Sequence, residues 1–314
     1  MDHEPPFGVD FIMPRDEAHW LEMRDKVVTS TQVAALFGLS PYTTRFEMYQ
    51  HHRNGIKLPF ISNDRVEKGS RMEQYAAEEV ARKEGWMVEP LKSFAMDAKR
   101  RIGSSFDYEA HTPEGLALLE IKAVDFFRHR DLWVDDQAPE HIEVQLQWQM
   151  HVSGIHIGYI AAWTSVYEYT LYRREYDAEM CRAMEAAVAA FWSDVDAGNE
   201  PAPDFARDQA VIAAMFRSLR PQPADLTADA EMEALIARYE VSKAQAKEFA
   251  QQADAAKAEI HYRLGDVAEA YTARYRVKAG RTKDTPGRVI TEADVGTVIG
   301  ARAGYRRCDV KLIG

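Results

Sequence analysis

The segment GLALLEIKAV, residues 115–124, sets the tightest limit on what this chain can fold into. As a strand it points Leu118, Glu120 and Lys122 one way and Leu119, Ile121 and Ala123 the other, because side chains alternate between the two faces of a sheet. Apolar residues on both faces mark a strand inside a protein. Yet one face also carries an acid and a lysine two residues apart. Upstream, RRIGSSFDYEA reads as a partner strand joined through the turn sequence HTPEG, a hairpin that would bring Asp107 towards Glu120. Charges inside an apolar hairpin call for a chemical reason.

The flanking segments place this hairpin in a mixed α/β core. EAHWLEMRDKV has helical apolar spacing, TSTQVAALFGL opens on cap-type hydroxyls, and SPYTT turns into FEMYQHHRNG. Gly69 precedes a helix, SRMEQYAAEEVARKEG, closed by Gly85. WMVEPLKSFAMD, RRIGSSFDYEA and GLALLEIKAV then read as successive strands, followed by the helix PEHIEVQLQWQMHVSG, the strands IGYIAAWTSV and YEYTLYRREY, and a helix from Asp177 to about Ala197. Past a proline-bracketed segment with a short helix, one helical pattern runs from about Ala228 to Leu264, roughly 50 Å at 1.5 Å per residue. Its apolar and small residues alternate three and four apart from Met232 through Ile260, a heptad seam. Two readings stand: a helix packed on its own domain, or a seam for another subunit or a partner protein. Small residues at many seam positions argue against a parallel dimer, since they bury little apolar area. The expected division is a core over 1–220, a helical arm over 221–271 and a basic, β-rich extension over 272–314.

Composition bounds the function classes. With 314 residues, 46% of them hydrophobic, the chain can bury a large core. The lack of any run of roughly 18 apolar residues, and an N-terminus (MDHEPPFGVDF) without a basic start or apolar stretch, argue against a membrane span or secretory signal. The expected location is the cytoplasm. Cys181 and Cys308, far apart, fit a reducing compartment and exclude a cysteine zinc site, and no H-E-x-x-H pattern occurs. The net charge is −11, but residues 272–314 hold ten Lys and Arg against four acids, so a +6 tail follows a −17 body.

Paired carboxylates with phosphate and water oxygens are the usual way of holding Mg²⁺. Asp107 and Glu120 supply such a pair, the Ile121 carbonyl adds a neutral oxygen, and Lys122 can orient or deprotonate a water or stabilise charge on a phosphate. Glu73 shares a helical stripe with Ala76, Ala77 and Val80, where a buried carboxylate wants a cation or a donor. Gln145 and Gln149 stand four apart on an otherwise apolar helix, where amides need hydrogen-bond partners.

In order and spacing these residues resemble the PD-(D/E)xK nucleases, and within them the lambda-exonuclease or YqaJ-like viral recombinase group, from about Trp20 to Trp163. The likeness rests on R-x₆-T before a helix ending GLSPY (Arg24, Thr31, Gly38 to Tyr42), G-x₃-E (Gly69, Glu73), Asp107, L-E-I-K (Leu119 to Lys122) and Q-x-Q-x₂-M-x-V-x-G (Gln145 to Gly154). It implies a restriction-endonuclease-like core, a mixed central sheet flanked by helices, extended by the long helix and small basic tail. Asp107, Glu120 and the Ile121 carbonyl would hold Mg²⁺, with Mn²⁺ as the alternative. Glu73 would be a further acid, Lys122 the catalytic lysine, Gln145 its helper, and Arg24 with Thr31 the binders of a 5′-phosphate. Thr31 stands where the family often has serine, and Tyr108 where it has glycine. The implied activity is 5′→3′ exonucleolysis of double-stranded DNA, leaving 3′ tails for phage-type recombination by strand annealing. A ring-like homo-oligomer and a single-strand annealing protein are the implied partners. Competing readings are a PD-(D/E)xK endonuclease or single-strand nuclease, and a noncatalytic DNA-binding scaffold. Lys99 to Arg101, Arg128 to Arg130 and the tail are candidates for contacts to a nucleic-acid backbone.

Overall fold

The computed structural model describes residues 8–58, 64–164, 168–216, 222, 224–281 and 309–312, with only the backbone described over 64–71 and 309–312. The chain divides into two compact units, Met1–Leu219 and Arg220–Gly314.

The first unit is built on the hairpin. β6 (Tyr108–Thr112) and β7 (Gly115–Ala123) pair antiparallel, with Tyr108 opposite Leu119. β7 pairs parallel with β8 (Ile157–Trp163), while β3 (Met87–Pro90) and β9 (Tyr169–Glu175) add antiparallel edges, giving the order β3-β6-β7-β8-β9. A parallel pair needs a crossover, and α5 (Phe126–Leu132) and α6 (Glu140–Ser153) make it.

The alternation along β7 sorts its residues into two separate cores. Leu119 and Ile121 pack with Ala76, Ala77 and Val80 of α4 (Asp64–Glu84). Leu118, with Ile160 and Ala162 of β8, packs in the larger core with Leu146 and Trp148 of α6. That larger core also takes in α2 (Ser30–Leu36), α3 (Arg45–Asn54) and α7 (Ala178–Ala197). Ten of the fourteen residues of α6 are buried, which makes it the central helix of the unit. Gly158 lets it come close: a Cβ there would sit 2.9 Å from Leu146 Cδ1.

A second sheet of order β1-β4-β5-β2 joins β1 (Asp10–Ile12), β2 (Val28–Thr29), β4 (Phe94–Asp97) and β5 (Ile102–Ser104). It splits two segments that the sequence suggests are single strands. WMVEPLKSFAMD becomes β3 and β4, and RRIGSSFDYEA becomes β5 and β6, with each half in a different sheet. At the first break Pro90 brings no N–H to continue a ladder, and the Leu91 N–H donates to the Asp107 carbonyl. At the second, the Ser104 hydroxyl turns to Ser30 and to the Ser105 carbonyl. Asp107 therefore lies in a crossing between sheets, not within a strand. The helix expected to start after Gly69 begins earlier, at Asp64, and runs through that glycine.

In the second unit, α9 (Ala230–Leu264) is a 35-residue helix with no buried residue. A sheet of β10 (Glu269–Tyr271), β11 (Tyr275–Lys278) and β12 (Asp309–Leu312) follows. β10, at the end of the expected arm, pairs with β11 of the expected basic extension. Residues 282–308, which carry five of the tail's ten basic side chains and Cys308, lie outside the described residues. Among the described residues no helix is long and apolar enough to cross a membrane.

Candidate active site

The charged face of β7 is turned towards α6. Glu120 is 3% exposed, and three side-chain donors reach its carboxylate. Gln145 Nε2 donates to Oε1 at 2.7 Å, Lys122 Nζ donates to the same oxygen at 2.5 Å, and Gln149 Nε2 donates to Oε2 at 2.7 Å. Lys122 Nζ also reaches Gln145 Oε1 at 3.1 Å. The i, i+4 spacing of Gln145 and Gln149 on α6 is what lets both amides meet one carboxylate. Asp107, just before β6, accepts the Ile121 N–H at 2.9 Å on Oδ2. A strand residue offers its N–H and C=O to the same side, so the Ile121 carbonyl is directed to the Asp107 side of β7.

The electrostatics show a site short of positive charge. Burial pushes the Asp107 carboxyl well above the usual carboxylate range; Glu120 and Glu73 push it the same way, and Lys122 opposes them. The half-buried Glu73 is raised too, by burial and then by Glu120. Lys122 is 26% exposed; burial pulls its pKa down, but Glu120 and Asp107 outweigh that pull and hold it as an ammonium. It is a proton carrier and a positive charge here, not a ready base. One ammonium thus balances three crowded acids, and Asp107, Glu120 and the Ile121 carbonyl form an oxygen donor set suited to a hard divalent cation. Among the described residues no three His, Cys, Asp or Glu side chains converge as a metal-binding group. Glu73 stays apart from the other two because α4 packs on the opposite face of the sheet from α6. It acts on the pair through charge, with no hydrogen bond to either.

Arg24 and Thr31 come together, with Nη2 3.4 Å from the Thr31 hydroxyl. The guanidinium lies 4.6 Å from the centroid of the Trp20 ring. No carboxylate forms an ion pair with Arg24 among the described residues, so it is not a surface ion pair; burial lowers its pKa and neighbouring Asp25 opposes this only weakly. Most of its five N–H donors remain for an outside anion. A polar track connects the two groups: Trp20 Nε1 donates to Ser105 Oγ at 2.9 Å, and Gln149, already on Glu120, donates to the Ser105 carbonyl at 3.2 Å. Other expected contacts are spent internally. Arg100 is paired with Asp97 and Glu185, Arg101 with Asp196 and the Trp192 ring, and Arg130 with Asp131.

Gln149, picked out with Gln145 by their four-residue spacing, belongs to this network, as do Ser105 and Trp20, which sequence reasoning did not name as site residues. Ser105 could not be named, because its position depends on the crossing between sheets. Tyr42, 82% exposed at the end of GLSPY, and His141 border the site; their rings meet edge-on at 5.8 Å, and the Lys122 charge adds to burial in lowering the His141 pKa.

Residues 19–156 match the family described as the YqaJ-like viral recombinase domain. Over that stretch, less than half of its length, the chain is similar to the YqaJ-like viral recombinase family. The match spans every residue of the network, from Trp20 to Gln149, and takes in β6 and β7 of the mixed sheet together with α6. Among solved structures, the chain is similar to an alkaline exonuclease from Laribacter hongkongensis, at 20% identity over 62% of this chain and 100% of that one, with a TM-score of 0.49. The same exonuclease in complex with dAMP gives 20% identity, 63% and 99% coverage and 0.49. A phage related exonuclease from Haemophilus somnus 129PT gives 14% identity, 55% and 96% coverage and 0.42. No curated protein matches the chain.

Proposed function

We propose that this chain is a Mg²⁺-dependent 5′→3′ double-strand DNA exonuclease that leaves 3′ single-stranded tails for phage-type recombination by strand annealing. The observation that carries this reading is the crowding of Asp107 and Glu120 around a single ammonium, Lys122, beside the Ile121 carbonyl. Its location within the stretch similar to the viral recombinase family supports the choice of DNA as substrate.

Asp107, Glu120 and the Ile121 carbonyl would hold Mg²⁺, or Mn²⁺ in its place, and the bound ion would supply charge stabilisation to the phosphodiester and a lowered pKa to water. The chain's own residues do the rest. Gln145 and Gln149 fix the two oxygens of Glu120, so the carboxylate cannot rotate. Lys122, shared between Glu120 and the Gln145 carbonyl oxygen, is positioned to hydrogen-bond an attacking water or a phosphate oxygen as charge develops. Gln145 orients that ammonium. Glu73 adds negative potential from behind the sheet, which favours cation binding. Arg24 and the Thr31 hydroxyl take the terminal 5′-phosphate, which restricts action to ends. A ring-like homo-oligomer and a single-strand annealing protein complete the reading as partners.

The test compares linear 5′-phosphorylated duplex, 5′-hydroxyl duplex and closed circular DNA, each with Mg²⁺ or with EDTA. Mg²⁺-dependent loss of the phosphorylated linear duplex alone is expected, falling by about 10²–10⁴-fold in Lys122→Ala. Nicking of the circle would replace the reading with an endonuclease, and DNA binding without cleavage would replace it with a scaffold.

A further inference from the structure

Among the described residues, α9 carries a long exposed run with bulky apolar side chains. Every residue from Glu233 to Glu259 is exposed, including Leu235, Ile236, Tyr239 at 58% and Phe249 at 66%. A helix of this length with bulky apolar side chains in water gains by covering them. Its seam reads Met232, Leu235, Tyr239, Ser242, Ala246, Phe249, Ala253, Ala256 and Ile260, alternate a and d positions of a heptad.

We propose that α9 pairs with α9 of a second copy of this chain as an antiparallel coiled coil, its two-fold axis lying between Lys247 and Glu248. The seam is sterically self-complementary about that point. Antiparallel pairing with each a opposite a d sets Phe249 against Ala246 and Tyr239 against Ala256. Ser242 meets Ala253, and Leu235 meets Ile260 at the ends. Each aromatic ring thus faces a small residue, and the layers fill evenly. Parallel pairing would instead set Phe249 on Phe249 and Tyr239 on Tyr239, between layers of alanine and serine on themselves. That alternates crowding with empty space.

Charge points the same way. Arg238 and Glu259 both occupy g positions, and antiparallel helices bring g beside g, so the register adds two opposite-charge pairs per dimer. Arg238 has no carboxylate partner among the described residues, and Glu259 is tied only to Arg263, one turn away on its own exposed helix face. Lys243 and Lys257, at e positions, fall nearest Ala250 and Ile236 of the other copy, so the register creates no like-charge contact there.

The experiment uses the full chain. Light scattering behind size exclusion is expected to show twice as many chains per particle in the parent as in Phe249→Glu, with the parent falling to the smaller species on dilution. Phe249→Glu puts two acids into apolar layers and is expected to weaken association by at least about 100-fold. Val241→Glu, equally exposed but off the seam, is expected to leave it unchanged. Circular dichroism checks that both variants keep their helix. Spin labels on Gln251→Cys and Ala258→Cys, in a Cys308→Ser background, read the orientation. Antiparallel pairing predicts axial separations of about 10 Å and about 30 Å respectively, whereas parallel pairing predicts equal ones. The same number of chains per particle in the parent and in Phe249→Glu at all concentrations, or equal label separations, would overturn the proposal. So would association only when another protein is added.

Discussion

α6 and α9 are opposite solutions to the same problem. α6 buries ten of its fourteen residues, three of them glutamines, while α9 buries none of its thirty-five and leaves leucine, isoleucine, tyrosine and phenylalanine in water. Hydrophobic pattern does not explain the contrast, since the regular seam is on α9. Partners do. Gln145 and Gln149 end on Glu120, and Gln147 donates to the Glu175 carbonyl while accepting from the Asp177 N–H, so no buried amide is wasted. The apolar side chains of α9 between Glu233 and Glu259 stay exposed. A side chain goes inside when the same unit holds its complement, and otherwise waits for one from outside.

The strongest way to break this comparison is to remove a complement from the buried network. Lys122→Met leaves Asp107, Glu120 and Glu73 with no positive charge among them, and without divalent ions it is expected to lose about 3–5 kcal/mol of stability. Mg²⁺ should return part of that loss, read as a larger rise in melting temperature for the variant than for the parent. An unchanged denaturation midpoint in EDTA would show that the acids do not depend on Lys122. Phe249→Ser on α9 should leave the first unit's unfolding untouched.

His52 offers a case between the two helices. It is half-buried on α3 with no hydrogen-bond partner for Nε2 among the described residues, its ring 4.7 Å from Trp192 and 5.9 Å from Phe191. Burial, then the His51 charge, lowers its pKa from 6.5 to about 4. Above pH 6.5 the imidazole is neutral folded or unfolded. As pH falls from there to about 4 the unfolded chain takes up a proton that the fold refuses, and stability is lost. Allowing for partial exposure, the loss is about 2–3 kcal/mol across that window. His52→Phe should flatten this limb of a stability–pH curve; an identical curve would show that His52 does not set it.

A smaller effect separates the glutamines themselves. Gln149→Leu strips one oxygen of Glu120 of its donor and should cost about 1–3 kcal/mol. Gln252→Leu, an exposed position on α9 bonded only to Glu248, should stay within about 0.5 kcal/mol. Equal costs in chemical denaturation would mean that the buried bond to Glu120 is worth no more than the exposed one to Glu248.

How much of this was legible in the sequence follows the same logic. The alternation of β7 shows its two faces, and they do divide between two cores. The order of acid, lysine and glutamine motifs marks Asp107, Glu120, Lys122 and Gln145, which the fold brings together. What sequence spacing could not show is where the chain changes sheets. The breaks between β3 and β4 and between β5 and β6 depend on pairing with β1 and β2, far away in the sequence. Ser105, and through it the link from Glu120 to Trp20, exists only because of that crossing. α5, absent from the expected elements, is a seven-residue helix with no buried residue and so no apolar period to reveal it.

Arg24 is the polar counterpart of α9's apolar face, a group in the first unit with no carboxylate partner among the described residues. It stacks on Trp20 and gives one weak hydrogen bond to Thr31, so Arg24→Ala should change stability by less than about 1 kcal/mol. If the missing complement is a terminal 5′-phosphate, the same substitution should erase the preference for phosphorylated over hydroxyl ends and lower the salt dependence of duplex binding by about one counterion. The two readouts separate the roles. A large loss of stability with the preference intact would make Arg24 a packing residue, while a lost preference on an undisturbed fold would place the end of the DNA at the far end of the track that starts on Glu120.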